Sequence, residues 1–327
     1  NETTRRGYSA AVRNATPQPP RRKPTQPSIT FVAAHYDQAR FLPEFIASLK
    51  AEMRAGDEVI IVDDCSSAPE ARKAKSLTES AGFKFMTTPV NSGPSVARNL
   101  AIRAATTDAI YVIDSDDLID PDSTKVLRGA LANHPEVDVV SGYFQAFEDE
   151  SHCWAAYDPI LETILLENST HCGLLGRRAV FEELGGYHEG QREHFEDWEF
   201  SMRLALSEYR VEVLPILSYR YRVRKKSSRN NTQLYRAGYS YEHAVRRALQ
   251  AIDGKTFNWQ RLARFMPTLY SRYQFGSGAP PAPSGAPVDA KVVRYELADR
   301  LNLMLKPTPM HGPLKSIAAW SLKLSGL

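Results

Sequence analysis

Three carboxylates fall within four residues at Asp114-Ser115-Asp116-Asp117, directly after the apolar run 109–113. Carboxylates crowded at the end of a buried strand repel one another unless a cation or a cationic group compensates. Hard divalent cations take oxygen ligands, and Mg2+ is commonly held by one or two carboxylates together with substrate phosphates. Asp114, Asp116 and Asp117 are therefore expected to hold Mn2+ or Mg2+ against a diphosphate. The alternative is a solvated acidic turn or helix cap leading into Leu118 and Pro121. A calcium-binding loop is excluded, because counted from Asp114 it needs Gly at its sixth position and Glu at its twelfth, where Ile119 and Lys125 stand.

The elements that must position this loop are legible from apolar patterning. Runs 29–34, 59–62, 83–86 and 109–113 read as strands, with helical candidates 39–53, 69–81 and 96–104 between them. Strands alternating with helices at this spacing imply crossover units and a largely parallel sheet. Ligands of such sheets bind beyond the carboxyl ends of the strands. Polar clusters stand at those ends: His35-Tyr36-Asp37 after the first strand, Asp63-Asp64-Cys65-Ser66-Ser67 after the second and the acidic loop after the fourth. Further on, a helix at 122–133 capped by Asp122 or Ser123, a strand at 137–147, and helices at 178–184 and 195–206 are expected. Gly185-Gly186-Tyr187 follows the first of these two helices, and glycines there permit positive φ. Glu196-Asp197-Trp198 opens the second, where acidic groups also suit the helix dipole.

Taken in order, these segments resemble family 2 glycosyltransferases of GT-A fold over 28–228. Phe31 to Asp37 resembles the family's first strand and Tyr-Asn turn, and Ile60-Ile61-Val62-Asp63-Asp64-Cys65-Ser66 its Ile-Val-Asp-Asp-Gly-Ser element. Asn91-Ser92-Gly93-Pro94-Ser95-Val96-Ala97-Arg98-Asn99 resembles the Asn-x-Gly-x-x-x-Ala-Arg-Asn segment. The acidic loop matches the Asp-x-Asp metal motif, and Glu196-Asp197 the Glu-Asp element of the acceptor side. The fold implied is α/β of Rossmann-like GT-A type, a mostly parallel central sheet flanked by helices.

The resemblance implies that Ala34, His35, Tyr36 and Asp37, with Asp63 or Asp64, contact the nucleotide base and ribose of a donor. It places Arg98, Asp114 and Ser115 on the donor side too. Asp197 becomes the general base of an inverting displacement, and Glu196 and Trp198 face the acceptor, although Trp198 reads equally well as core. Tyr219-Arg220-Tyr221-Arg222 resembles a Tyr-Arg-x-His segment, with Arg222 where many members have His; arginine cannot ligate metal but can neutralise diphosphate. The activity implied is transfer from a nucleotide-sugar, UDP-sugars foremost, to a glycan or lipid-linked acceptor in bacterial surface polysaccharide synthesis. A catalytically silent sugar-nucleotide-binding domain of a larger assembly is the alternative. A haloacid-dehalogenase-type phosphatase would carry its Asp-x-Asp after the first strand, and a nucleotidyltransferase a Gly-rich basic loop after it; neither is present.

Bulk properties agree. The 327 residues are 43% hydrophobic, enough for a sizeable core, and 41 basic against 38 acidic residues leave no global field for nucleic acid. Cys65, Cys153 and Cys172 are odd in number and lack metal spacing, which fits a reducing cytosol. Asn-x-Ser/Thr triplets at Asn1, Asn14, Asn168 and Asn230 matter only in a secreted protein. No apolar run approaches the roughly 20 residues of a spanning helix, and a cytoplasmic location, peripheral at the inner membrane face, is expected. The chain opens on Asn1 rather than Met, so further domains of a longer protein are expected.

Residues 1–27 read as a Pro/Arg-rich linker or tail, with anionic lipid or a partner as the alternative contact. The domain is expected to end near 229. Beyond it lies a mainly helical extension, 230–327, with an amphipathic stretch at 231–252 and a Gly/Pro-rich loop at 276–287. A basic amphipathic end at 314–327 packs on a core or subunit, or lies on a membrane.

Overall fold

The computed structural model describes residues 26–224 apart from 152, 155, 157, 160–163, 165–167 and 191–194. The tail before 26, the end of the basic run at 225–229 and the extension 230–327 lie outside the described residues. Four strands, β1 (Ile29–His35), β2 (Glu58–Asp63), β3 (Lys84–Thr87) and β4 (Ala109–Val112), pair in parallel in the spatial order β3-β2-β1-β4. Helices α1 (Leu42–Glu52), α2 (Ala68–Ser80) and α3 (Pro94–Ala104) connect them. Proline opens or nearly opens each helix, where its missing N–H costs nothing.

The near-continuous apolar strands follow from burial on both faces. Phe31 and Ala33 of β1 join Leu42, Phe45 and Leu49 of α1 in one core. Val32 joins Ile60, Val62 and Val112 with Ala97 and Ala101 of α3 in the other. The loops after β1, β2 and β4 therefore leave one rigid edge of a mainly parallel sheet flanked by helices, an α/β fold.

The second half departs from the parallel pattern. After β5 (Leu118–Ile119) and α4 (Ser123–Asn133) come β6 (Val139–Glu148), β7 (Cys153–Trp154), β8 (Leu174–Arg177), α5 (Arg178–Glu183), α6 (Glu196–Leu206) and β9 (Val211–Val223). The sheet continues from β4 as β8-β6-β9-β5, with β8 antiparallel to both neighbours, β9 parallel to β6, β5 antiparallel to β9, and β7 on β6. Strands β5, β7, β8 and β9 were not expected from patterning. Pro215 lies inside β9 and cannot donate to a ladder, so the strand reads as broken. The structure absorbs it in a register shift: Ser141 pairs Val213, whereas Tyr143 pairs Leu217. Gly142 makes the room, since a Cβ there would lie 2.6 Å from the Ile216 carbonyl oxygen.

The expected cap of α4 is also corrected. Asp122 sits at the N-cap in a left-handed conformation (φ 63°) and its side chain makes no cap bond. The Glu52 carboxylate at the end of α1 accepts instead from the Asp122 amide at 2.7 Å and the Thr124 amide at 3.0 Å. Among the described residues no helix is long and apolar enough to cross a membrane.

Candidate active site

The sheet ladder runs to the threshold of the acidic loop: the Ile113 amide still donates to the Val32 carbonyl at 3.1 Å. One residue on, the Asp114 carboxylate accepts from Arg98 of α3 at 2.6 Å. The same guanidinium donates to Glu196, the first residue of α6, at 3.0 Å. Arg98 is fully enclosed, with its guanidinium carbon 5.1 Å from the centre of the Tyr187 ring and Nη2 3.1 Å from Cys172 Sγ. Burial works against its charge, but Asp114 and its other neighbours outweigh burial and hold it protonated.

Tyr187 reaches this position through the Gly185-Gly186 turn, whose φ values of 73° and 67° only glycine adopts freely. The Asn99 amide reads both backbone groups of Tyr187 at 2.7 Å, and a Cβ on Gly186 would come within 2.2 Å of Asn99 Oδ1. The glycine therefore allows the approach that seats the ring beneath Arg98.

Next to Glu196, Asp197 accepts from the Trp198 amide at 2.8 Å and from Asn168 Nδ2 at 3.0 Å, and His171 Nδ1 lies 3.8 Å away. Burial, reinforced by Glu196 and opposed by Arg98, pushes its pKa up to about 6. A carboxyl in that range takes a proton near neutral pH more readily than an ordinary aspartate.

From the other side β9 grips the loop. The Arg222 amide donates to Asp117 Oδ1 at 2.8 Å and its Nε to the Asp116 carbonyl at 2.6 Å. Arg224 donates to Asp116 Oδ2 at 2.7 Å and to Gln38 Oε1 at 3.0 Å. Asp117 is buried, and burial together with Asp116 and Asp114 drives its pKa well above the carboxylate range. Beyond Asp116 opens a cleft of about 300 Å³ lined by Tyr36, Asp37, Gln38, Arg40, Glu70 and Arg224.

The buried Asp197 carboxyl and the Asp-Ser-Asp-Asp loop thus stand together at the carboxyl edge of a parallel sheet, joined through Arg98 and Glu196. The family model described as "Glycosyl transferase family 2" matches residues 30–201, more than half of the chain. The chain belongs to glycosyl transferase family 2. The succinoglycan biosynthesis protein ExoO of Rhizobium meliloti is 33% identical over 121 residues, 35% of this chain and 34% of its own. Against the first curated relatives the chain spans a fifth to a third of their length, at 21% and 34%. Among solved structures, S. aureus TarS 1-349 in complex with UDP-GlcNAc superimposes with a TM-score of 0.62 at 16% identity, over 91% of this chain and 89% of that one. Mannosyltransferase PcManGT of Pyrobaculum calidifontis, in complex with GDP-Man and Mn2+, does so at 0.51 and 17% identity, over 92% and 86%. These likenesses are of fold.

In this family 2 glycosyltransferase the residues singled out by sequence divide into two groups. Asp114 and Glu196 meet on Arg98, with Asp197 next in the chain to Glu196, and Asp116, Asp117 and Arg222 meet at β9, while Tyr36 and Asp37 reach the cleft. Tyr36 is 47% exposed at its rim. His35 is buried, its Nδ1 3.1 Å from Ser115 Oγ, and burial lowers its pKa, so it stands neutral beneath the loop. Ala34 packs on the second core.

Other expected contacts are spent inside the protein. The Asp64 carboxylate accepts from Thr88 Oγ1 at 2.8 Å and from the amides of Ser92 and Gly93 at 2.9 and 2.6 Å, which ties β2 to the start of α3. Asp63 accepts from the Ser66 amide and hydroxyl. Arg98, expected near phosphate, is closed off by its two carboxylates, and Glu196 is spent on it. Trp198 is core rather than an acceptor platform, with its indole N–H donating to the Ile164 carbonyl at 2.5 Å. Arg222 is committed to Glu44 and Glu148 and wedged between the rings of Phe41 and Phe147, each 4.3 Å away. Sequence reasoning passed over Arg224; its signal was the two-residue period of a strand, which sets it on the same side as Arg222.

Among the described residues no three His, Cys, Asp or Glu side chains form a ready-made metal cluster. The hard oxygen donors of Asp114 and Asp116, two of three carboxylates within four residues, nevertheless fit a divalent cation.

Proposed function

We propose that this glycosyltransferase is metal-dependent and inverting, and moves a sugar from a nucleotide-sugar to a hydroxyl of a glycan or lipid-linked acceptor. The observation that carries the reading is the span of one guanidinium. Arg98 holds Asp114 and Glu196 at 2.6 and 3.0 Å, so the donor loop and the residue before Asp197 stand on opposite sides of a single side chain. Sugar and acceptor therefore meet next to a carboxylate that Asn168 and the Trp198 amide hold in one orientation.

Asp197 takes the proton of the acceptor hydroxyl as its oxygen bonds to the anomeric carbon, and the bond from that carbon to the diphosphate oxygen breaks with its electron pair on the diphosphate. A divalent cation held by Asp114 and Asp116 would offset the charge that gathers on the leaving group. Asp117, pinned to the Arg222 amide, serves as the anchor of the loop. Tyr36 at the cleft rim offers a face to the nucleotide base, and Asp37 lies beside it. A UDP-sugar is the donor we favour, in keeping with the UDP-GlcNAc bound in TarS, and surface polysaccharide synthesis at the inner membrane face is the setting, in keeping with ExoO.

Calorimetric titration of UDP, GDP and dTDP with and without Mn2+, on wild type and Asp116→Ala, tests the reading. Metal-dependent binding of one nucleotide that disappears in the variant is the expected result. Binding of none under any condition would leave a silent domain.

A further inference from the structure

The arginines that neutralise the acidic loop are unequal in freedom. Arg98 is fully enclosed between two carboxylates, and the Arg222 side chain is 4% exposed between two aromatic rings. Neither can leave without vacating a packed interior. The Arg224 side chain, just beyond β9, is 21% exposed and lines the cleft, with one face of its guanidinium 5.0 Å from the centre of the Phe41 ring. Its partner Asp116 is one of the two carboxylates assigned to the cation, and a guanidinium and a divalent cation cannot share one carboxylate oxygen without strong like-charge repulsion.

Charge balance says where Arg224 must go. A cation that takes Asp116 leaves the Arg224 guanidinium without its carboxylate, while Arg98 and Arg222 keep their own partners, Asp114 with Glu196 and Glu44 with Glu148. A diphosphate arriving beside it supplies the missing negative charge, and arginine suits phosphate oxygens through its forked donors. Arg224 already donates to Gln38 Oε1 at 3.0 Å, and Gln38 lines the same cleft.

We infer that Arg224 is an exchangeable counter-ion, which holds Asp116 in the nucleotide-free enzyme and passes to the donor diphosphate when a divalent cation takes its place. The inference rests on the donor-site reading above. Cation and nucleotide then bind cooperatively, because each removes the obstacle to the other, and the coupling is reciprocal.

The test measures Mn2+ alone by electron paramagnetic resonance and UDP and GDP by calorimetry, with saturating Mn2+ and with EDTA, on wild type, Arg224→Met and Arg224→Lys. Thermal unfolding by circular dichroism checks the fold of each. In Arg224→Met, Mn2+ alone is expected to bind about tenfold tighter and the nucleotide about tenfold weaker with Mn2+ but unchanged with EDTA, a loss within the usual range of coupling. Arg224→Lys should keep part of the coupling. An equal loss of nucleotide affinity with and without Mn2+ would mean a fixed, non-exchanging arginine, and weaker binding of Mn2+ alone would mean a loop support; either overturns the inference. So does an unchanged variant in which wild type binds nucleotide normally. A wild type that binds no nucleotide at all removes the donor-site reading first, and this one with it.

Discussion

Arg98 and Arg224 each neutralise an aspartate of the same loop, at 2.6 and 2.7 Å, yet they do so in different surroundings. Around Arg98 the chain has closed completely: α3, α6, the Gly185-Gly186 turn and the acidic loop all contribute, and no solvent reaches the guanidinium. Around Arg224 the guanidinium meets Asp116, Gln38 and the ring of Phe41, 5.0 Å away, on the wall of an open cleft. A buried ion pair costs much to break because the abandoned charge stays in a poor solvent, whereas a rim pair exchanges partners at little cost. On the proposed reading, the enclosed region holds donor loop and base in fixed relation, and the rim region changes with ligand.

The strongest way to break this contrast is Arg98→Met, which strands Asp114 and Glu196. It should cost about 3–5 kcal/mol of stability in urea denaturation; a loss under about 1 kcal/mol would mean that the enclosure is not what fixes the site. Asp197→Asn sharpens it from the catalytic side, with an expected fall in kcat of about 10²- to 10⁴-fold, while nucleotide affinity in Mn2+ stays unchanged. Parallel losses in both would place Asp197 in donor binding instead.

The pH profile follows from the same carboxyl. Its pKa, raised to about 6, means that the ionised base is lost as pH falls through 6. Below that point kcat/KM should drop about tenfold per unit. The sign for stability is opposite. The folded state favours the protonated form, so this residue's contribution is greatest below the ordinary aspartate range, falls as pH rises to about 6, and disappears in Asp197→Asn. A profile unchanged in the Asn variant's residual activity would assign the titration to another group. The smallest effect belongs to Arg224→Met, which should alter thermal stability by no more than about 1 kcal/mol; a larger loss would make the rim as structural as the interior.

How much of this was readable beforehand depended on whether the determining contact was local. The strands β1 to β4 announced themselves because burial on both faces demands unbroken apolar runs, and the acidic loop because its position after β4 is set by that same pattern. The Glu-Asp pair singled out Asp197 as a candidate, but its raised pKa was not legible, since the burial that causes it comes from residues far away in the chain. Arg98 and Trp198 looked like ligand contacts because sequence gives residue type and not enclosure. Strand β9 was hidden by Pro215, whose disruption is repaired across the sheet by Gly142. Arg224 stood in plain view within a basic run, but only the pairing of β9 with β6 and β5 says which side of the strand meets the loop.

The cap that Glu52 lends to α4 also bears on how the molecule assembles. Asp122 and Thr124 take their partner from 70 and 72 residues earlier in the chain, so the first turn of α4 is completed only when α1 is already docked on the sheet. A helix that borrows its opening bonds this way gains little as an isolated segment. Its leading amides should exchange with solvent at the rate of global opening rather than of local fraying. Synthesis order favours the arrangement, since the lender emerges first and the borrower folds onto a surface that is waiting for it.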